Sequence, residues 1–192
     1  MRAFRWLLPL VVLALTGCGY NRIQTLDEQV NAYEGNIKVQ LQRRADLVPN
    51  LVETVRGYAR HEESIFTQVA EARSRLAGAV QGGNVTQMAE ANQALTGALG
   101  RLIAIAEAYP ELKANENFRA LQDQLEGTEN RIATARQDYN TAVQEYNGYI
   151  RRFPQVVTAK ITGAKQRPYY ELTTPGAAEA PRVNFGTDTT KR

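Results

Sequence analysis

The sequence predicts an all-α protein: an elongated antiparallel bundle of three to four helices with long coiled-coil-like segments. Two patterns carry that prediction. Apolar residues recur at three- and four-residue steps from Leu26 onward, and no run of useful length after Tyr20 alternates as a strand does. Further along, Phe118, Leu125, Ile132, Tyr139, Tyr146 and Phe153 stand seven residues apart. Leu121, Thr128, Ala135, Ala142 and Tyr149 fill the positions three further on, so an a/d seam runs over about five heptads. Helices of that length cannot close into a round globule and need partners of similar length.

The first segment differs in kind. Met1 to Arg5 is short and basic, Trp6 to Leu15 is an apolar run, and Leu15-Thr16-Gly17-Cys18 closes it. This is the order of a secretory signal. Ten apolar residues rise only about 15 Å as a helix, half of a bilayer core, so a permanent span is the weaker reading. The box Leu-Thr-Gly-Cys resembles the lipobox of bacterial lipoproteins, in which the Cys thiol is diacylated and the Cys becomes the new N-terminus. The expectation is a signal peptide over 1–17, palmitate-type acylation of Cys18, and an anchor with a short linker over 18–24. Two or three acyl chains hold a protein on a membrane where one does not. Gly19 follows Cys18, with no Asp to retain the protein at an inner membrane. In a host with two membranes, the outer one is then the default destination.

Each later element has its own signal. Thr25-Leu26-Asp27-Glu28 reads as a capping box, and Leu26, Val30, Tyr33, Ile37 and Leu41 form the stripe behind it. Pro49 interrupts that stripe: either Asp46 caps a new helix with Pro49 in its first turn, or one long helix kinks. Leu51, Val55, Tyr58, Phe66, Val69, Leu76 and Val80 form the next stripe, with a soft spot at Glu62. Gln81-Gly82-Gly83-Asn84 is a break, and Asn84 or Thr86 starts a helix marked by Met88, Leu95, Leu99, Leu102 and Ala106. Tyr109-Pro110 ends it. The heptad helix then runs from about Glu111 to Arg152, about 60 Å, and Pro154 stops it. The bundle thus occupies 25–170. Residues 171–192, rich in Pro, Gly, Ala and Thr, read as a disordered tail. Its one apolar island, Arg182-Val183-Asn184-Phe185, either docks on the bundle or serves as a partner peptide.

Composition removes several functions. The 192 residues hold 23 Lys plus Arg against 20 Asp plus Glu, and loss of Arg2 and Arg5 with the leader brings the chain near neutrality. Nothing then drives it toward nucleic acid. One Cys and one His exclude a Cys/His metal cage, a disulfide framework and a His-based triad within one chain, and no metal or cofactor is expected. His61, among Arg60, Glu62 and Glu63, reads as part of a solvated face. The carboxylate pairs Glu62 with Glu63 and Glu126 with Glu129 have no predicted cleft to shift their pKa values.

Two groups remain as candidates. Arg43, Arg44 and Asp46 beside Pro49 form either an anion or peptide site at a helix junction, or internal ion pairs with Glu126 or Glu129. Tyr139, Tyr146 and Tyr149, with Tyr33 and Tyr58, either line a groove for a partner helix or form a wet-edged core. Their seam spacing favours the core.

Several longer motifs occur in order. They are Arg43-Arg44-Ala45-Asp46-Leu47-Val48-Pro49-Asn50-Leu51-Val52-Glu53-Thr54-Val55, Tyr109-Pro110-Glu111-Leu112-Lys113-Ala114-Asn115-Glu116-Asn117-Phe118 and Leu125-Glu126-Gly127-Thr128-Glu129-Asn130-Arg131-Ile132. Tyr139-Asn140, Glu145-Tyr146-Asn147 and Arg151-Arg152-Phe153-Pro154 complete the set. From about Tyr20 to Tyr170 the chain resembles the LemA family of bacterial membrane-associated proteins. The resemblance implies an antiparallel helical bundle facing away from the cytoplasm and held by an N-terminal membrane segment; it implies no agreed activity. This chain departs from the family in its lipobox-like anchor. It also has Gly163-Ala164 where the family usually has an aromatic beside the Gly.

The functional expectation is a non-enzymatic scaffold or accessory subunit, held in the membrane through acylated Cys18 and touching protein partners in the cell envelope. Homo-oligomerisation is left open by the heptads. The alternative is a binding module for anionic lipid or cell-wall material, using Arg43, Arg44, Arg151 and Arg152 as a basic rim over an apolar groove.

Overall fold

A computed structural model describes the backbone of residues 4–171 and the side chains of residues 19–171. The leader cleavage, the acylation of Cys18, and the tail with its Arg182–Phe185 island lie outside what is described. The helices are α1 (Phe4–Arg56), α2 (Glu63–Gly82), α3 (Val85–Ala106), α4 (Pro110–Ala114), α5 (Glu116–Ile150) and α6 (Gln155–Thr162). The described residues contain no strand, and the predicted all-α bundle is the observed one.

α1 and α5 form an antiparallel spine. Arg22 meets Glu145, Arg44 meets Glu129 and Tyr58 meets Asn115, so the two helices run in opposite directions along their shared length. The α2–α3 hairpin doubles back over the half of the spine far from the N-terminus. There Arg73 of α2 reaches Ala45, and Asn92 of α3 reaches Arg44. That half is a four-helix bundle with Leu41, Leu51, Phe66, Leu76, Met88, Leu95 and Leu102 at its centre. In the N-terminal half only α1 and α5 remain. It is closed by α6 and by the extended segment 164–171, which runs back along the spine as a strap.

α1 starts ahead of its predicted boundary, and at Pro49 it takes the second of the two courses left open, one long helix. It passes through residues 18–24 and through Thr25 without a cap. Ile23 is buried ahead of the expected boundary, so the apolar face already calls for helix there. The Thr25 hydroxyl donates to the Asn21 carbonyl one turn back, as hydroxyls inside helices do. α1 also passes through Pro49. Proline has no N–H to give to the carbonyl of Ala45, and Arg73 Nε donates to that oxygen instead, at 2.8 Å. The real break falls at residues 57–62, where short-range bonds such as Tyr58 N–H to Val55 O close a turn. Arg56 stacks over the Phe66 ring across it, 5.0 Å from the centroid.

The remaining boundaries follow from local chemistry. Gly83 ends α2 at φ 69°, its N–H on Ala79 O, and Asn84 Oδ1 accepts from Gln87 N–H to start α3. Pro110 opens the short α4, so α5 starts at Glu116 rather than Glu111, capped by Asn115 on Phe118 N–H. Its 35 residues rise about 52 Å. Phe118, Leu125, Ile132, Tyr139 and Tyr146 of the seam are buried as predicted, while Phe153 is 83% exposed because α5 stops at Ile150.

Candidate functional site

Buried and half-buried polar side chains form two braces, one in each half of the rod. The first is centred on Arg44. It shares a face of α1 with Ile37, Leu41, Val48 and Leu51, so helical periodicity carries its guanidinium into the core, where the residue is 5% exposed. Nη1 donates to Asn92 Oδ1 of α3 at 2.7 Å and pairs with the Glu129 carboxylate of α5. Burial lowers the Arg44 pKa from its ordinary value, and the Glu129 charge opposes that. One side chain thus ties three helices in register, a role buried ion pairs perform well even where they add little stability.

The other residues of that sequence cluster are elsewhere. Asp46 is exposed and accepts from Gln42 Nε2 at 2.8 Å, while Arg43 and Glu126 face solvent. Arg44 points into the core while Arg43 and Asp46 stay on the surface, because Arg44 is turned about 100° from Arg43 along the helix. Of the two readings, the internal pair is the one seen, made by Arg44 through Glu129.

The second brace is the strap. Asn147 on α5 donates Nδ2 to Arg167 O at 2.9 Å and accepts Arg167 N–H at 2.8 Å. Seven residues earlier, Asn140 does the same for Tyr170, at 3.2 and 2.8 Å. The two side-chain amides stand in for the edge of a β-strand. Seven residues of helix rise about 10.5 Å and three extended residues about 10 Å, so the two repeats match and both rungs close. The Tyr139 hydroxyl donates to Pro168 O between them, at 2.9 Å. On the other side, the Arg167 guanidinium donates to both Asp27 carboxylate oxygens, at 3.0 and 3.1 Å, and to Asn31 Oδ1 at 2.9 Å. Burial works to lower the Arg167 pKa, but the hydrogen bonds and charge of Asp27 outweigh it and raise it. The strap therefore binds α1 to α5 where the α2–α3 hairpin is absent. Gly163, at φ 73°, makes the reversal from α6 into it.

Tyr170 ends the strap and joins the two braces. It is 2% exposed, beside Asn92, Glu129, Ile132 and Arg136 around a small cleft of about 180 Å³. Burial pushes its phenol up to about 12, against the pull of Arg136. Burial likewise raises Tyr139 to about 12, with Glu34 adding to it, and raises Tyr146 in the same direction.

The tyrosines do not form one groove. Tyr139 and Tyr146 are seam residues inside the bundle, and Tyr149 is half-buried beside Arg22, Glu145 and Arg152. Tyr33 is exposed, and Tyr58 is exposed at the far end, its hydroxyl accepting from Asn115. His61 is exposed, as read.

Sequence reasoning missed Arg73, Asn92, Asn140, Asn147, Arg167 and Tyr170. A signal existed for the asparagines: Tyr139-Asn140 recurs as Tyr146-Asn147 at the heptad distance, which puts the amides on one line of the helix. Nothing in the sequence marked Arg73 or Asn92.

This fold and its two braces define a rod-like, all-α bundle protein. The chain belongs to the LemA family, which it matches over residues 33–185. It is 33% identical over 175 residues to the magnetosome proteins MamQ 1 and MamQ 2 of Paramagnetospirillum magneticum (strain ATCC 700264 / AMB-1), covering 79% of this chain and 64% of each relative. Identity to the magnetosome protein MamQ of Magnetospirillum gryphiswaldense is 32% over 174 residues, with the same coverage. The chain thus spans under two thirds of the length of these relatives. The family and these relatives support membrane association of a helical protein. Among the described residues no helix is long and apolar enough to cross a membrane.

Proposed function

We propose that this LemA-family chain is a scaffold or accessory subunit on the extracytoplasmic side of the cell envelope, tethered through acylated Cys18. It acts by protein–protein contact and without catalysis. The observation that carries this reading is where the buried and half-buried polar groups are used. Arg44, Asn92, Arg167 and Asp27, which in an enzyme would face a substrate, are bonded to one another across helices. Their strength goes into stiffness. From Gly19 to Arg56, α1 alone extends about 56 Å beyond the anchor, so the braced rod holds partners at a set distance from the membrane.

The basic rim of the alternative reading does not assemble. Arg44 is inside the bundle, and Arg152 lies beside Arg22, about 33 Å lower along α1. Two tests separate the parts of the proposal. Cys18→Ser should abolish labelling of the chain by palmitate; a variant that still labels removes the anchor. Saturating mutagenesis scored for function in the native host should place sensitive exposed positions along a face of the rod. Sensitivity confined to one small polar cleft would remove the scaffold.

A further inference from the structure

α6 has an outer face that the bundle does not use. Thr158 and Ala159 are buried, and the Thr158 side chain and Gln155 pack on Gly19 of α1. A Cβ at Gly19 would lie 3.5 Å from Thr158 Oγ1, an ordinary contact distance, so α6 sits directly against α1 here. On the other side Val157 and Ile161, one helical turn apart, are 47% and 74% exposed, and Phe153, in the turn that leads into α6, is 83% exposed. Tyr20, next to Gly19 on α1, is also exposed. No other part of the described surface gathers large apolar side chains at one place; Tyr33, Val39, Tyr58 and Tyr169 stand apart from it.

The segment that carries this face is basic; the acidic Glu145 of α5, in the cleft beside Arg152, is paired with Arg22. From Arg151 to Tyr170 the sequence has five basic residues and no acidic one. Arg167 is committed to Asp27, while Arg151, Arg152, Lys160 and Lys165 are exposed and form no ion pair with a described residue. Position completes the argument. α6 packs on the first residue after Cys18, and the apolar run Trp6 to Leu15 precedes it. Whether the chain is held by acyl chains on Cys18 or by that apolar run, α6 is within about one helical turn of the anchor.

We propose that α6 is a second, peripheral membrane contact: Phe153, Val157 and Ile161 enter the interfacial layer of the bilayer, and Arg151, Arg152, Lys160 and Lys165 engage anionic headgroups. The tether supplies proximity, and α6 supplies orientation. A flexible anchor alone leaves a rod free to lean, whereas a second contact on one side of its base sets its tilt. This rests on membrane association and not on the scaffold role, so failure to find a protein partner leaves it standing.

The test uses the full chain, with Trp6→Phe as background, in vesicles of phosphatidylcholine with or without phosphatidylglycerol. Co-sedimentation reports the anchor. An Ile161→Trp substitution reports α6, with Ala104→Trp at an exposed position of α3 as the far-end control; circular dichroism checks that each variant folds. With brominated acyl chains in anionic vesicles, Ile161→Trp emission should shift blue and be quenched, and the Ala104→Trp emission should do neither. Adding Arg152→Gln and Lys160→Gln should lower the bound fraction of α6 roughly tenfold, while co-sedimentation persists. Solvent-like, unquenched emission from Ile161→Trp in chains that co-sediment would overturn the proposal. So would a blue shift that grows with protein density and is insensitive to brominated lipid, which would assign the face to a second copy.

Discussion

Pro49 removes a donor from the interior of α1, and Arg73 replaces it from a neighbouring helix. The two substitutions should therefore be coupled. Arg73→Met should cost about 1 kcal/mol in chemical denaturation, and clearly less in a Pro49→Ala background, where the restored N–H serves the Ala45 carbonyl. Equal costs in both backgrounds would separate the two residues. Arg44→Ala should cost more, about 2–3 kcal/mol, because it leaves Asn92 buried and unpaired and opens space in the core. An unchanged thermal midpoint would end the structural account of Arg44. The tyrosines give a pH test. Folding holds Tyr139 and Tyr170 neutral up to about 12, while the unfolded chain ionises its phenols near pH 10. Their stabilisation is complete below about pH 10 and drains away between about pH 10 and 12. The thermal midpoint should fall across that window, and fall less in Tyr139→Phe. At this scale the sequence was only partly legible. It marked Arg44 and the tyrosine seam through periodicity, but Asn92 and Arg73 are polar residues whose partners are far along the chain, and periodicity carries no record of partners.

Among the elements, the strap is held by side chains of α1 and α5 and not by a ladder of its own. Asn140 and Asn147 each carry two of its backbone bonds, and they act on one continuous segment. Either Asn→Ala substitution should expose the Arg167 and Tyr170 amides to hydrogen exchange, and the double variant should cost less than the sum of the two. Strict additivity would mean that the rungs hold independently. The elements most legible in the sequence were those whose cause is local. The Gly83–Asn84 break and the heptad of α5 lay where the residues put them. The start of α1 was misplaced, and Pro49 left two courses open because the Arg73 bond that accompanies the continuous helix comes from far along the chain. The strap had no signal of its own, since an extended segment bonded to side-chain amides lacks both helical and strand periodicity. Its partners repeated at seven residues, and that repeat was the visible half.

At the scale of the whole molecule, the architecture divides the rod into a sheathed far half and a strapped near half, with α6 at the base. The sequence anticipated the elongated all-α bundle. It did not anticipate the division, because the lengths of α2 and α3 relative to the α1–α5 spine decide it, and those depend on the turn at residues 57–62. The scaffold role makes a claim about contact in the cell, and it is tested there. The most direct measurement is photo-crosslinking in the native host from exposed positions spaced along α1, such as Ala32 and Val39, followed by mass spectrometry of the adducts. The account predicts one dominant protein partner, recovered in near-equal amount and from adjacent positions along the rod. Adducts only with this chain itself, or only with lipid, would contradict it.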